Sequence, residues 1–120
     1  MTNVETLTQD TIADALGQPG ILVIDFWAPW CGPCRTMAPQ FDRAAQLRPQ
    51  YRFAKVNVDE QPTIASAFQI RSIPTLVVIN NGEVIGAHPG VVAADQLVGV
   101  LDQLAPTPDP ETVLQEGAAR

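Results

Sequence analysis

The chain has 120 residues, 46 % of them apolar, enough for one domain around one hydrophobic core. Seven Lys and Arg against thirteen Asp and Glu give a net charge of −6. The basic residues (Arg35, Arg43, Arg48, Arg52, Lys55, Arg71, Arg120) form no stripe that could follow a phosphate backbone, which argues against nucleic acid as a partner.

No apolar run approaches the ~20 residues of a membrane span. The polar start, Met1 to Asp10, has neither the basic nor the apolar region of a secretion signal, so a cytoplasmic protein is expected.

In chain order, a short strand is expected near Asn3 to Thr6, then a helix through Ile12, Ala15 and Leu16. After the turn signal Gly17-Gln18-Pro19-Gly20, Ile21 to Trp27 (ILVIDFW) is an almost unbroken apolar run. It reads as a central strand buried on both faces, interrupted only by Asp25. Pro33 stands where the first turn of a helix tolerates proline. The polar, Ala-rich stretch from Cys34 to about Pro49 continues as helix, with a kink expected at Pro39.

Phe53 to Val58 is the next strand, and Asp59 to Gln69 a shorter helix with Pro62 in its first turn. Thr75 to Asn80 is a third apolar run, and Asn80-Asn81-Gly82 is a hairpin turn into Glu83 to Ala87. Leu97, Leu101 and Leu104 repeat at helical spacing, giving a last helix from about Ala93 to Leu104. The order β-α-β-α-β-α-β-β-α predicts an α/β fold: a mixed sheet with helices on both faces, parallel crossovers first and then an antiparallel hairpin. The domain is expected to span residues 1–105. Residues 106–120 are Pro-rich and acidic and read as a flexible, solvated tail, with a docking peptide as the alternative.

The only two cysteines fall within Trp30-Cys31-Gly32-Pro33-Cys34. A disulfide closing so short a loop contributes only roughly 2 kcal/mol of chain entropy, so a bulk staple is a poor account of it. Metal is a poor account too, because Cys31, Cys34 and the single His88 fall short of the four ligands of a structural zinc site. Thiol–disulfide exchange needs a thiolate, and an ordinary Cys is only ~3 % ionised at pH 7. The strand-to-helix reading places Cys31 at a helix N-terminus, where backbone N–H groups favour an anion and lower its pKa by about one unit. Cys34, one turn further on, lies on the same face and can attack a mixed disulfide formed by Cys31. Cys31 is thus the attacking thiol and Cys34 the resolving one.

Asp25 is costly as an anion inside an apolar strand, and its pKa should rise. It could pair structurally with Lys55, or give and take a proton at Cys34, directly or through water; both can hold together. Ile73-Pro74 is either a strand-start proline or a cis bond that brings backbone beside the cysteines, and the residues alone leave both open.

Several blocks together closely resemble the thioredoxin family over residues 4 to 104: Asp25-Phe26-Trp27-Ala28-Pro29-Trp30-Cys31-Gly32-Pro33-Cys34, Ala54-Lys55-Val56-Asn57-Val58-Asp59, Ile70-Arg71-Ser72-Ile73-Pro74-Thr75-Leu76, and Asn81-Gly82-Glu83. The resemblance implies the thioredoxin fold, a central five-stranded mixed sheet flanked by four helices. It implies a monomeric protein-disulfide reductase that works by reversible Cys31–Cys34 exchange with no bound cofactor and no metal. Its implied partners are disulfide-containing proteins and thioredoxin reductase, which regenerates it with NADPH.

Carried over by position, Cys31 is the nucleophile, Cys34 the resolving thiol, Asp25 the proton-relay acid and Pro74 the cis proline. Trp30, Gly32, Pro33, Ile73, Pro74 and Gly90 fall on the docking surface, and Lys55 and Trp27 in structural or electrostatic roles. Ser72 and Pro89 depart from the family pattern, and Pro89 removes a backbone donor from the docking rim. His88 reads as a surface residue. Oxidases and isomerases of this fold tend to carry His between the cysteines, so Gly32-Pro33 points toward reduction. A non-catalytic module of the same fold is the remaining alternative.

Overall fold

The computed structural model describes residues 3–105; the expected tail, 106–120, lies outside them. Nine elements follow in chain order: β1 (Val4–Thr6), α1 (Ile12–Leu16), β2 (Ile21–Trp27), α2 (Gly32–Leu47), β3 (Arg52–Asn57), α3 (Pro62–Ala67), β4 (Thr75–Asn80), β5 (Glu83–Pro89) and α4 (Ala94–Leu104). The five strands form one sheet in the order β1-β3-β2-β4-β5.

β3 runs parallel to β1 and β2, whereas β4 runs antiparallel to both β2 and β5. The reversal therefore begins with the entry of β4, the first strand of the hairpin, so the β3–α3–β4 connection is not a parallel crossover. Element order alone cannot show this, because it does not record the direction in which a strand joins the sheet.

The alternation of side chains along β2 divides the core. Ile21 and Val23 pack with Phe53, Leu76 and Val78 against Met37, Phe41, Ala44 and Ala45 of α2 and Leu97, Val98 and Leu101 of α4. Leu22, Ile24 and Phe26 pack on the opposite face with Ala15 of α1 and Ile64 of α3. The side chains of Phe26, Phe41 and Phe53 are fully buried, each contributing roughly 1.5–3 kcal/mol of transfer free energy. Asp25 shares the parity of Ile21 and Val23, which directs its carboxyl toward α2. That parity sets the site.

The elements stop for local reasons. α2 runs unbroken through Pro39, and its carboxyl end is tied to α4 by Arg48 Nη2, 2.7 Å from Asp102 Oδ2, and by the Tyr51 hydroxyl, 2.8 Å from Oδ1. α3 ends earlier than its apolar pattern suggests, because Gln69 takes a φ of 57°. β5 extends to Pro89, opposite Thr75, with an irregularity in the ladder between Val78 and Ile79. The β4–β5 turn uses φ of 53° at Asn81 and 83° at Gly82, the left-handed pair that two-residue hairpins favour. Asn81 also holds the start of β2, its Oδ1 accepting from Gly20 N–H at 2.8 Å. Among the described residues, no helix is long and apolar enough to cross a membrane.

Candidate active site at the Cys31–Cys34 disulfide

β2 leads into Ala28, Pro29 and Trp30, and α2 starts at Gly32, so the cysteines straddle the helix start. Cys31 is the N-cap, with extended φ and ψ of −88° and 112°, and Pro33 occupies the first turn. The two sulfurs form a disulfide with Cα atoms 5.2 Å apart. The Cys34 N–H points at Cys31 Sγ at 3.2 Å, a helix-start donor that favours negative charge on that sulfur. Cys31 Sγ also lies 3.7 Å from the Ile73 carbonyl oxygen. Both cysteines are 4 % exposed in the disulfide form.

The Ile73–Pro74 peptide bond is cis. Pro74 itself is buried, and its carbonyl accepts from Gly90 N–H at 2.8 Å. Gly90 can hold this position because its φ is +96°, a region glycine enters without a Cβ penalty. Around the disulfide, Trp30 is 67 % exposed, Gly32 and Pro33 are exposed, and Ile73 and Gly90 are half-buried. Trp30 and Ile73 face a groove of about 190 Å3 that Val58, Ala65, Ile70, Arg71 and Ser72 complete. The Trp30 ring is held in place, since Nε1 donates to Asp59 Oδ2 at 2.9 Å. Pro89 and His88 are exposed at the end of β5.

Beneath Cys34, Asp25, Trp27, Ala38, Phe41, Asp42, Lys55 and Val4 enclose a cavity of about 100 Å3. Asp25 is 5 % exposed, and its Oδ1 is buried without a hydrogen-bond partner. Burial pushes its carboxyl up to about 7; Lys55 opposes the shift and Asp42 adds to it.

Lys55 stands directly opposite Asp25 in the β2–β3 register, yet among the described residues no contact ion pair joins them. The ammonium instead lies 5.5 Å from the centroid of the Trp27 ring, a cation–π placement. The structural pairing weighed from the sequence is therefore an attraction across the cavity.

The sequence reading did not single out Asp42 or Asp59. Asp42 could have been found: Cys34, Ala38, Phe41 and Asp42 recur at helical spacing on one face of α2. Asp59 had no such signal, because its bond to Trp30 spans 29 residues.

Comparisons with known proteins agree with this geometry. The family model described as Thioredoxin matches residues 3–103. Putative thioredoxin 2 of Streptomyces coelicolor is 37 % identical over 103 residues, covering 86 % of this chain and 77 % of that protein. Thioredoxin 1 of Synechococcus elongatus is 46 % identical over 83 residues, 68 % of this chain and 78 % of that protein. Among solved structures, thioredoxin of Malassezia sympodialis superposes with a TM-score of 0.77 at 34 % identity, covering 86 % of this chain and 91 % of its own. Oxidised mitochondrial thioredoxin 3 of Saccharomyces cerevisiae gives 0.77 at 35 % identity, with 84 % and 95 % covered.

Proposed function

This chain belongs to the thioredoxin family, and from that premise we propose how its residues divide the work of reducing protein disulfides. It is a thiol–disulfide oxidoreductase whose redox centre is the Cys31–Cys34 pair, with no bound cofactor. In the dithiol form, the Cys31 thiolate attacks one sulfur of a substrate disulfide. The substrate S–S bond breaks, one substrate thiolate leaves and takes a proton, and Cys31 is left in a mixed disulfide. Cys34 then gives its proton to the Asp25 carboxylate and attacks Cys31 Sγ. The second substrate thiolate leaves, two electrons have passed to the substrate, and Cys31–Cys34 is oxidised.

What supports this division is the asymmetry of the two sulfurs. The Cys34 N–H at the start of α2 faces Cys31 Sγ, whereas Cys34 shares its cavity with Asp25. An acid with a pKa of about 7 can take and return a proton near neutral pH with little driving-force penalty.

Trp30, Gly32, Pro33, Ile73, Pro74 and Gly90 form the face that receives the substrate, and Lys55 and Trp27 support the buried acid. Thioredoxin reductase with NADPH returns the pair to the dithiol form, in the cytoplasm, with the protein acting as a monomer. Residues 1–105 are the working domain.

The test is NADPH consumption with thioredoxin reductase and insulin as disulfide substrate, on the full chain and on one ending at Leu104. Turnover by both is expected. Cys31→Ser should abolish it, and Cys34→Ser should accumulate a covalent mixed disulfide. Asp25→Asn should slow resolution at neutral pH by about tenfold or more. Reduction that survives in the doubly substituted Cys31→Ser, Cys34→Ser chain rules the account out.

A further inference from the structure

We propose that Asp42 is the outer proton acceptor of the site, passing the proton of Asp25 to and from solvent across the cavity that the two carboxyls share. The inference rests on the proton-relay role of Asp25 and extends it. Each catalytic cycle that protonates Asp25 must later release that proton, and Asp25 is 5 % exposed with one oxygen buried and unbonded. The direct route to solvent is narrow.

The cavity offers another. Its walls run from the buried Asp25 and Cys34 to the half-buried Asp42 and Lys55, and its volume of about 100 Å3 has room for water, at roughly 30 Å3 a molecule. Trp27, whose Nε1 is also buried without a partner, lines the same space.

Of the titratable groups around Asp25, α2 contributes Cys34 and Asp42 and β3 contributes Lys55, while Val4 of β1 and Leu76, opposite Asp25 on β4, cannot titrate. Lys55 directs its ammonium at the Trp27 ring, and among the described residues no ion pair ties it to Asp42. An ammonium has three donors and no acceptor, so it cannot take a further proton. Asp42 is the remaining group that is partly exposed and able to accept one.

The step conserves charge and mass. Protonated Asp25 loses H+ to water in the cavity, the water passes H+ to the Asp42 carboxylate, and Asp42 releases it to bulk solvent or buffer. No electrons move.

The experiment compares the full chain with Asp42→Asn, Asp42→Glu and, separately, Asp25→Asn. It follows resolution of a preformed Cys31 mixed disulfide by stopped flow from about pH 5.5 to 8.5, at low and high concentrations of a small buffer base. Asp42→Asn should resolve about tenfold more slowly at low buffer on the acid side of the profile, where Asp25 must shed its own proton before it can take that of Cys34, and high buffer should restore most of the rate. Asp42→Glu should behave as the parent chain.

An Asp42→Asn chain whose rate is unchanged overturns the proposal. So does one whose pH profile moves lower with no response to buffer, since Asp42 would then act only by its charge. If Asp42→Asn unfolds, Asp42→Glu carries the test: buffer dependence appearing in a carboxylate variant that folds normally also counts against it. If Asp25→Asn leaves the profile unchanged, the relay role of Asp25 itself has failed, a result that differs from failure at Asp42 alone.

Discussion

Asp25 and Lys55 face each other across the β2–β3 ladder, yet the ammonium turns to the Trp27 ring and one carboxyl oxygen is left without a partner. A buried ion pair would pull the acid down and leave it ionised at neutral pH. With the cation held at a distance, desolvation by burial prevails and the carboxyl rises to about 7. The same arrangement that suits Asp25 to the proposed proton transfer makes it a liability for stability.

That liability has a pH signature. An unfolded Asp ionises near ~3.9, whereas folded Asp25 does so at about 7. Between these values the folded state holds one more proton than the unfolded state, so stability falls as pH rises through this window and levels off above it. Asp25→Asn should match the parent near pH 4 and exceed it near pH 8 by up to about 4 kcal/mol. Denaturant unfolding at the two pH values measures the difference, and equal gains at both would contradict the assignment.

Lys55 acts on the same group with the opposite sign. Lys55→Gln removes the one cation that lowers the Asp25 pKa, so the carboxyl should titrate at higher pH than in the parent chain. A side-chain carbonyl NMR titration of Asp25 reads this directly. A shift to lower pH, or none, would show that Lys55 does not reach Asp25 electrostatically.

Asp59 holds Trp30, a residue of the proposed docking face, with a 2.9 Å hydrogen bond to the indole. Asp59→Ala should free the ring and raise KM for a protein disulfide by about three- to tenfold through the lost hydrogen bond. With Asp59 exposed, Tm should barely change. A fall in kcat at constant KM would mean that the contact serves something other than docking.

Two glycines separate backbone strain from crowding. Gly90→Ala meets nothing within 4 Å and suffers only its φ of +96°, a cost of about 1–2 kcal/mol. Gly82→Ala has a similar φ of +83° and would place Cβ 2.8 Å from the Leu16 carbonyl oxygen. That backbone contact cannot relax cheaply, so Gly82→Ala should cost at least about 1 kcal/mol more. Thermal unfolding ranks the two variants, and equal losses would reject the crowding argument.

Local chemistry by itself determined much of this protein. The apolar run of Ile21 to Trp27, the left-handed pair Asn81-Gly82, and the cysteines placed where a strand gives way to Pro33 each act within a few residues, so sequence spacing reports them. Helical spacing also carries a signal for Asp42 on the face of Cys34, which gains meaning only beside β2 and so went unread.

Tertiary structure decided the rest, because those outcomes are competitions between groups distant in the chain. The direction in which β4 enters the sheet, the choice of Lys55 between an indole and a carboxylate, and the grip of Asp59 on Trp30 are such outcomes. So is the burial that raises Asp25, since desolvation depends on what every neighbouring element excludes, and no short window of sequence contains that sum.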